Sequence, residues 1–168
     1  RDAALIYRII RDLFNDRISQ FIIDNEQEYV KVLEILEMLS PQLKNRVFYY
    51  RNKEPIFERF CIEEEIDRSL SRVVWLRCGG YLVFDETEAL TVIDVNTGKH
   101  TGKVNLEETI FKTNMEAAVE IARQIRLRDI GGIIIVDLID MNSPNHRQKV
   151  LECLTEEMSR DRTKSQVL

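Results

Sequence analysis

Apolar positions along the chain follow two rhythms, one of three to four residues and one of two. In residues 3–14, Leu5, Ile6, Ile9, Ile10 and Leu13 recur at helical spacing, which predicts an amphipathic helix. Residues 17–23, RISQFII, read as a strand, and Asp24-Asn25 as a turn or cap. A second amphipathic helix follows in YVKVLEILEML and ends at Ser40-Pro41, because proline disfavours helix in the residue before it. Residues 46–51, RVFYYR, are β-branched and aromatic and predict a strand. From Pro55 the pattern is helical and is expected to continue to about Leu70.

The texture changes at Ser71. VVWLR, then Cys78-Gly79-Gly80, then YLVFD reads as a hairpin, and ALTVIDVN as a further strand. Residues 97–104, TGKHTGKV, form a loop. Residues 105–129 make the longest helix, opening on an Asn105 cap with Glu108 three residues on and closing at Gly131-Gly132. IIIVDLIDM is apolar without alternation, as a buried parallel strand would be. Ser143 or Asn142 caps a last helix over roughly 144–160, and KSQVL starts what reads as another strand. These elements predict an α/β fold, a mixed sheet with flanking helices, in two parts that meet near residue 70.

Composition narrows the class. With 44% apolar and 32% charged residues the chain is globular rather than disordered. No apolar run reaches the ~18–20 residues of a membrane span. The net charge is −5 and neither half is basic, so nucleic acid would have to be met through a local patch or a metal rather than the overall field. Cys61, Cys78 and Cys153 match no zinc spacing and are expected as small buried hydrophobes in a reducing, intracellular compartment. The first residues carry neither Met nor a signal segment, so a piece of a longer protein is expected.

The candidate chemistry lies on two of the predicted strands. In Thr91-Val92-Ile93-Asp94-Val95-Asn96, side-chain alternation puts Val92, Asp94 and Asn96 on one face and Thr91, Ile93 and Val95 on the other. A carboxylate and an amide thus project side by side. Ile133-Ile134-Ile135-Val136 leads into Asp137, at the carboxyl end of a strand, where open α/β sheets bind ligands. If the two strands are neighbours, Asp94 and Asp137 lie close together. Oxygen ligands of this kind suit Mg²⁺, which needs one or two carboxylates and takes water and substrate phosphate for the rest. Asn96 would hold a carboxylate or a water in line. Acids at strand ends also cap helices or pair with arginine, so a structural role stays open, above all for Asp140.

Other residues are less specific. Lys112, Arg123 and Arg126 share one broad face of the long helix, where Glu116 and Glu120 can pair with Arg123. That face reads as solvated ion pairs or as phosphate contacts. The loop Gly98-Lys99-His100-Thr101-Gly102-Lys103 offers close backbone approach and two positive charges, but it is no Walker motif. His146 is expected to be structural. Tyr49, Tyr50, Trp75, Tyr81 and Phe111 form no interleaved aromatic–basic motif and are expected to pack in cores.

The stretch GGYLVFDETEALTVIDVNTGK, followed by EETIFKTNMEAAVEIARQIRLRDIGGIIIVDLIDM, resembles the ribonuclease E/G family, and the similarity runs from Gly79 to about Lys164. Weaker similarity extends back through Phe21–Asn25. The resemblance implies a partial RNase-H-like subdomain over residues 1–70 and a deoxyribonuclease-I-like catalytic subdomain over 71–168, incomplete at its C-terminal end. It places the family's metal-binding aspartates on Asp94 and Asp137 and its orienting asparagine on Asn96. It implies Mg²⁺-dependent hydrolysis of single-stranded RNA by metal-activated water, in RNA processing and decay. Lys164 falls where the family has a basic residue suited to the RNA backbone; with Lys99, Lys103 and Lys112 it is a candidate for phosphate contact. The family's oligonucleotide-fold domain, 5′-end sensor and Cys-Pro-x-Cys zinc link do not match this stretch. Zinc is therefore expected only in a downstream segment. Homo-oligomerisation is expected of the full-length protein, inactivity of the piece alone, and a cytoplasmic location. The rival reading is a non-catalytic RNA-binding or assembly module.

Overall fold

The computed structural model describes residues 2–98, 106–161 and 164–168, with side chains from Leu5 onward. They form two compact units, Arg1–Glu63 and Glu64–Leu168.

The first unit contains α1 (Asp2–Asp12), β1 (Phe21–Ile23), α2 (Glu26–Leu39), a 3₁₀ turn (Pro41–Arg46), β2 (Val47–Tyr49) and α3 (Ile56–Arg59). The strands pair in parallel, Phe21 opposite Val47 and Ile23 opposite Tyr49. Helix α2 is the crossover, and its entry is fixed by Asn25, whose side chain accepts the Glu28 N–H at 3.0 Å. Ile10, Phe14, Val32, Leu36, Leu43 and Val47 form this unit's core. Both strands are shorter than expected. Arg46 ties down the segment before β1 by donating to the carbonyls of Asp16 (2.7 Å) and Ile18 (2.8 Å).

The helix expected from Pro55 to Leu70 is two helices, α3 and α4 (Ile62–Leu70). Cys61, between them, has φ of 53°, a left-handed conformation that no α-helix continues through. Cys61 is also exposed, against the expectation of a buried hydrophobe, whereas Cys78 and Cys153 pack half-buried against a core.

The second unit is a four-stranded sheet in the order β3 (Val73–Trp75), β4 (Tyr81–Glu86), β5 (Leu90–Asn96), β6 (Ile133–Asp137). The first three strands are antiparallel neighbours, and β6 runs parallel to β5. The link between β5 and β6 includes α5 (Leu106–Arg128), as a parallel pair requires a crossover. Helix α6 (Pro144–Ser159) packs with α5. Val74, Leu82, Phe84, Ile93 and Val95 of the sheet share one core with Ala117, Ala118, Ile121, Ala122 and Ile125 of α5 and Val150, Leu154 and Met158 of α6. Burying a side chain such as Ile93 stabilises the fold by about 1.5–3 kcal/mol.

Three local expectations change. Helix α5 ends before the Gly131-Gly132 pair, at Asp129 with φ of 54°. There the Ile130 N–H bonds back to the Ile125 carbonyl (3.0 Å), a Schellman closure in which Asp129 takes the place usually given to glycine. The run IIIVDLIDM is covered on one face only. Ile134 and Val136 turn toward the core, but Ile133 is 64% and Ile135 48% exposed, because α5 and α6 lie against a single side of the sheet. The terminal KSQVL forms no strand among the described residues. Among those residues no helix is long and apolar enough to cross a membrane.

Candidate active site

Strand β5 alternates between half-buried and buried residues along its whole length. Its inner residues Thr91, Ile93 and Val95 face the helices, so Val92, Asp94 and Asn96 lie on the opposite, uncovered side. In the parallel ladder with β6, Asp94 is the register partner of Asp137. Register partners in neighbouring strands point to the same face, about 4.8 Å apart along the hydrogen-bonding direction. Two segments forty-three positions apart in sequence thus present their carboxyl groups side by side.

Asn96 joins them from two residues along. Its Nδ2 donates to Asp94 Oδ2 at 2.7 Å, which leaves Asp94 Oδ1 without a claim from the amide. Across the other edge, Val83 of β4 is the register partner of Asp94, and Tyr81 of Asn96. On that side Asp94 therefore has an aliphatic neighbour, and β4 itself contains no Lys or Arg. Two like charges at this spacing repel, and their closeness suits a hard cation that takes oxygen donors. No group of three or more His, Cys, Asp or Glu side chains among the described residues is arranged to hold a metal. A cation at Asp94 and Asp137 would take its remaining ligands from water or a phosphate.

Helix α5 fixes the segments around the pair. Glu116, expected opposite Arg123, instead accepts the backbone N–H groups of Arg77 and Cys78 (3.0 Å for Cys78), pinning the turn between β3 and β4. Turn N–H groups that lack a ladder partner bind a carboxylate strongly. Gly80, in that turn, is packed against the end of β5: a Cβ there would lie 2.8 Å from the Asn96 carbonyl and 2.9 Å from Thr113 Cγ2. Gly98 is as constrained, since its Cβ would lie 2.0 Å from the Gly79 carbonyl. The close approach permitted by Gly98 is thus to the protein's own backbone.

The segment after β6 is held in the same way. Asn114 bonds both backbone groups of Ile139. Arg147 donates to the Met141 carbonyl at 2.8 Å. Glu107 accepts the N–H groups of Asn142 and Ser143, each at 3.2 Å, and meets His146 Nδ1 at 3.1 Å. Those backbone donors, Ser143 first, hold the Glu107 carboxyl below its ordinary pKa, with His146 adding to the effect. His146 stacks on Phe111 with centroids 4.2 Å apart. Ser143, not Asn142, caps α6. Asp140 is exposed between these fixed points.

Among the described residues, the candidate cations have other partners or stand exposed. Lys112 is exposed on α5 and pairs with Glu108 at 3.7 Å. Arg123 pairs with Glu65 and with Glu120 (3.3 Å), and Arg126 donates to the Glu157 carbonyl at 2.8 Å. Lys164 is exposed in the C-terminal stretch. Lys99 and Lys103, with His100 and the Asn105 cap, lie outside the described residues. Trp75, expected in a core, is 63% exposed, with its ring 5.1 Å from that of Tyr81. Asn114 was missed by sequence reasoning, although a polar residue at helical spacing from Ala117, Ala118 and Ile121 is a detectable signal of a buried, bonded amide.

A mixed sheet that presents two carboxylates and an amide on one face belongs to the class of sites able to hold a hard divalent cation. The comparisons with known proteins narrow that class. The ribonuclease E/G family model matches residues 1–168, and the chain belongs to that family. It is 44% identical over 166 residues to Ribonuclease G of Escherichia coli strain K12, covering 99% of this chain and 34% of the relative. It is 42% identical to Ribonuclease G of Haemophilus influenzae over the same shares. To Ribonuclease E of Escherichia coli strain K12 it is 40% identical over 172 residues, 16% of that protein. The chain thus spans about a third of the length of the Ribonuclease G relatives it matches.

Proposed function

We propose that this chain carries the catalytic carboxylates of a Mg²⁺-dependent endoribonuclease that hydrolyses phosphodiester bonds of single-stranded RNA in RNA processing and decay. The observation that carries the reading is the ladder position of Asp94 opposite Asp137, with Asn96 bonded to Asp94 on the same face. Family membership and relatives named Ribonuclease G and Ribonuclease E support RNA as the substrate.

Asp94 and Asp137 would hold the cation from two adjacent paired strands, so their spacing would need no rearrangement when substrate arrives. Asn96 holds one oxygen of Asp94 and so sets the rotation of that carboxylate. A Mg²⁺ ion held by Asp94 and Asp137 would supply positive charge for a phosphoryl oxygen and would make water a better nucleophile. Lys99, Lys103, Lys112 and Lys164 are the candidates for RNA phosphate contact. Residues 71–168 are read as a deoxyribonuclease-I-like subdomain and 1–70 as part of an RNase-H-like one. With a net charge of −5, the chain relies on other parts of the whole protein to grip RNA and is inactive alone. The whole protein is read as a cytoplasmic homo-oligomer, with zinc only in a segment beyond this chain.

The test is Asp94→Asn and Asp137→Asn in the full-length protein, assayed on a 5′-monophosphorylated single-stranded oligonucleotide with Mg²⁺. Each variant is expected to lose more than about 100-fold in rate, beyond the loss typical of an outer-shell partner, with an unchanged melting temperature. Near-parent rates for either variant overturn the assignment. A parent that binds the oligonucleotide but never cleaves it is instead an RNA-binding module.

A further inference from the structure

Asn114 stands in the middle of α5 and is fully buried. A primary amide placed there must find both a donor and an acceptor partner. It finds both on one residue of another segment. Nδ2 donates to the Ile139 carbonyl at 2.8 Å, and the Ile139 N–H donates to Oδ1 at 3.1 Å. This closed pair is what a neighbouring strand residue would offer, supplied here by a side chain.

The place where the pair forms gives it meaning. Strand β6 ends at Asp137, and the ladder with β5 ends at the same residue. Ile139 is two residues further on, where no ladder bond restrains the backbone. Strand ends without such restraint open locally. Asp137 is therefore held from one side by the ladder and from the other by Asn114. The next fixed points, Met141 through Arg147 and Asn142 and Ser143 through Glu107, are further away.

We propose that Asn114 is a positioning residue for Asp137: it clamps the chain just past β6 and so keeps the Asp137 carboxylate in register with Asp94. The proposal rests on the reading of that pair as cation ligands. Replacing Asn114 by an apolar residue would leave the Ile139 peptide without both partners and free the strand end, at some distance from any reacting atom.

The test compares Asn114→Ala with Gln124→Ala in the full-length protein. Gln124 is also fully buried on α5, but it bonds Glu120 and Arg128 and touches neither carboxylate strand end through those bonds. Mn²⁺ binding without RNA, followed by the electron paramagnetic resonance signal of the free ion, is read beside kcat and KM for a single-stranded oligonucleotide. Asn114→Ala is expected to weaken Mn²⁺ binding and lower kcat by about 10–100-fold, with KM for RNA within about twofold of the parent. Gln124→Ala is expected to lower the melting temperature without either change. Mn²⁺ affinity and kcat for Asn114→Ala no lower than for Gln124→Ala overturn the proposal. Should Asn114→Ala fail to fold, Asn114→Asp keeps an acceptor for the Ile139 N–H. It loses the donor to the Ile139 carbonyl and sets a carboxylate oxygen against it, so Mn²⁺ affinity is expected to fall as well; parent-like affinity counts against the clamp. Asp94→Asn separates the two levels. If it binds Mn²⁺ like the parent, the carboxylate reading fails; if it does not and Asn114→Ala does, only the positioning role falls.

Discussion

The two faces of β5 are built from alternate residues of one heptapeptide, yet they answer to different physics. Thr91, Ile93 and Val95 face a packed core, where volume and shape set the free energy. Val92, Asp94 and Asn96 face away from it, and there charge and hydrogen bonding set what the surface can hold. The difference teaches that stability and chemistry are separable along this strand at single-residue resolution. One face can be damaged while the other is left intact.

Substitutions on each face test that separation. The widest contrast pairs Asp94→Asn with Ile93→Ala. The first is expected to cost more than about 100-fold in cleavage and almost nothing in stability. The second is expected to destabilise by about 2–5 kcal/mol in a denaturant titration, with cleavage per folded molecule unchanged. A large loss of stability in Asp94→Asn would erase the distinction. Gly80→Ala sharpens it from the side, because the added Cβ meets the Asn96 carbonyl and Thr113 together. About 1–3 kcal/mol of destabilisation is expected from such overpacking, with a smaller loss of activity as the end of β5 is displaced. The smallest effect concerns Glu107. Its folded pKa is depressed, so its contribution to stability is complete above the ordinary glutamate value of about 4.3 and fades as pH falls through the lower folded value. Glu107→Gln is expected to flatten the acid limb of the stability–pH curve, measured by thermal unfolding between pH 5 and about 2, without altering Mn²⁺ affinity.

Much of this is legible in the sequence. Period-two alternation assigns each residue of β5 to its side, and the apolar run before Asp137 marks a strand, though not which strand it pairs with. What the pattern could not carry was partner choice across sequence distance. Glu116 looked like a partner for Arg123 because both lie on α5, but the N–H groups of Arg77 and Cys78 claimed it. Asn114 escapes local pattern reading for the same reason: its partner, Ile139, is 25 positions away. Local backbone signs also misled. Gly131-Gly132 looked like the end of α5, while Asp129 had already adopted the left-handed turn. The exposure of Ile133, Ile135 and Trp75 could not be foreseen because an apolar run does not say how many layers cover it.

The interval between Asp94 and Asp137 is dictated by the peptide hydrogen bond, not by side-chain packing. Such a gauge is the same in every parallel sheet, so few residues can shift it beyond those that hold the strand ends, as Asn114 does past β6. Loops and helix surfaces can therefore diverge widely around it, while the two acidic anchors stay at one fixed pitch.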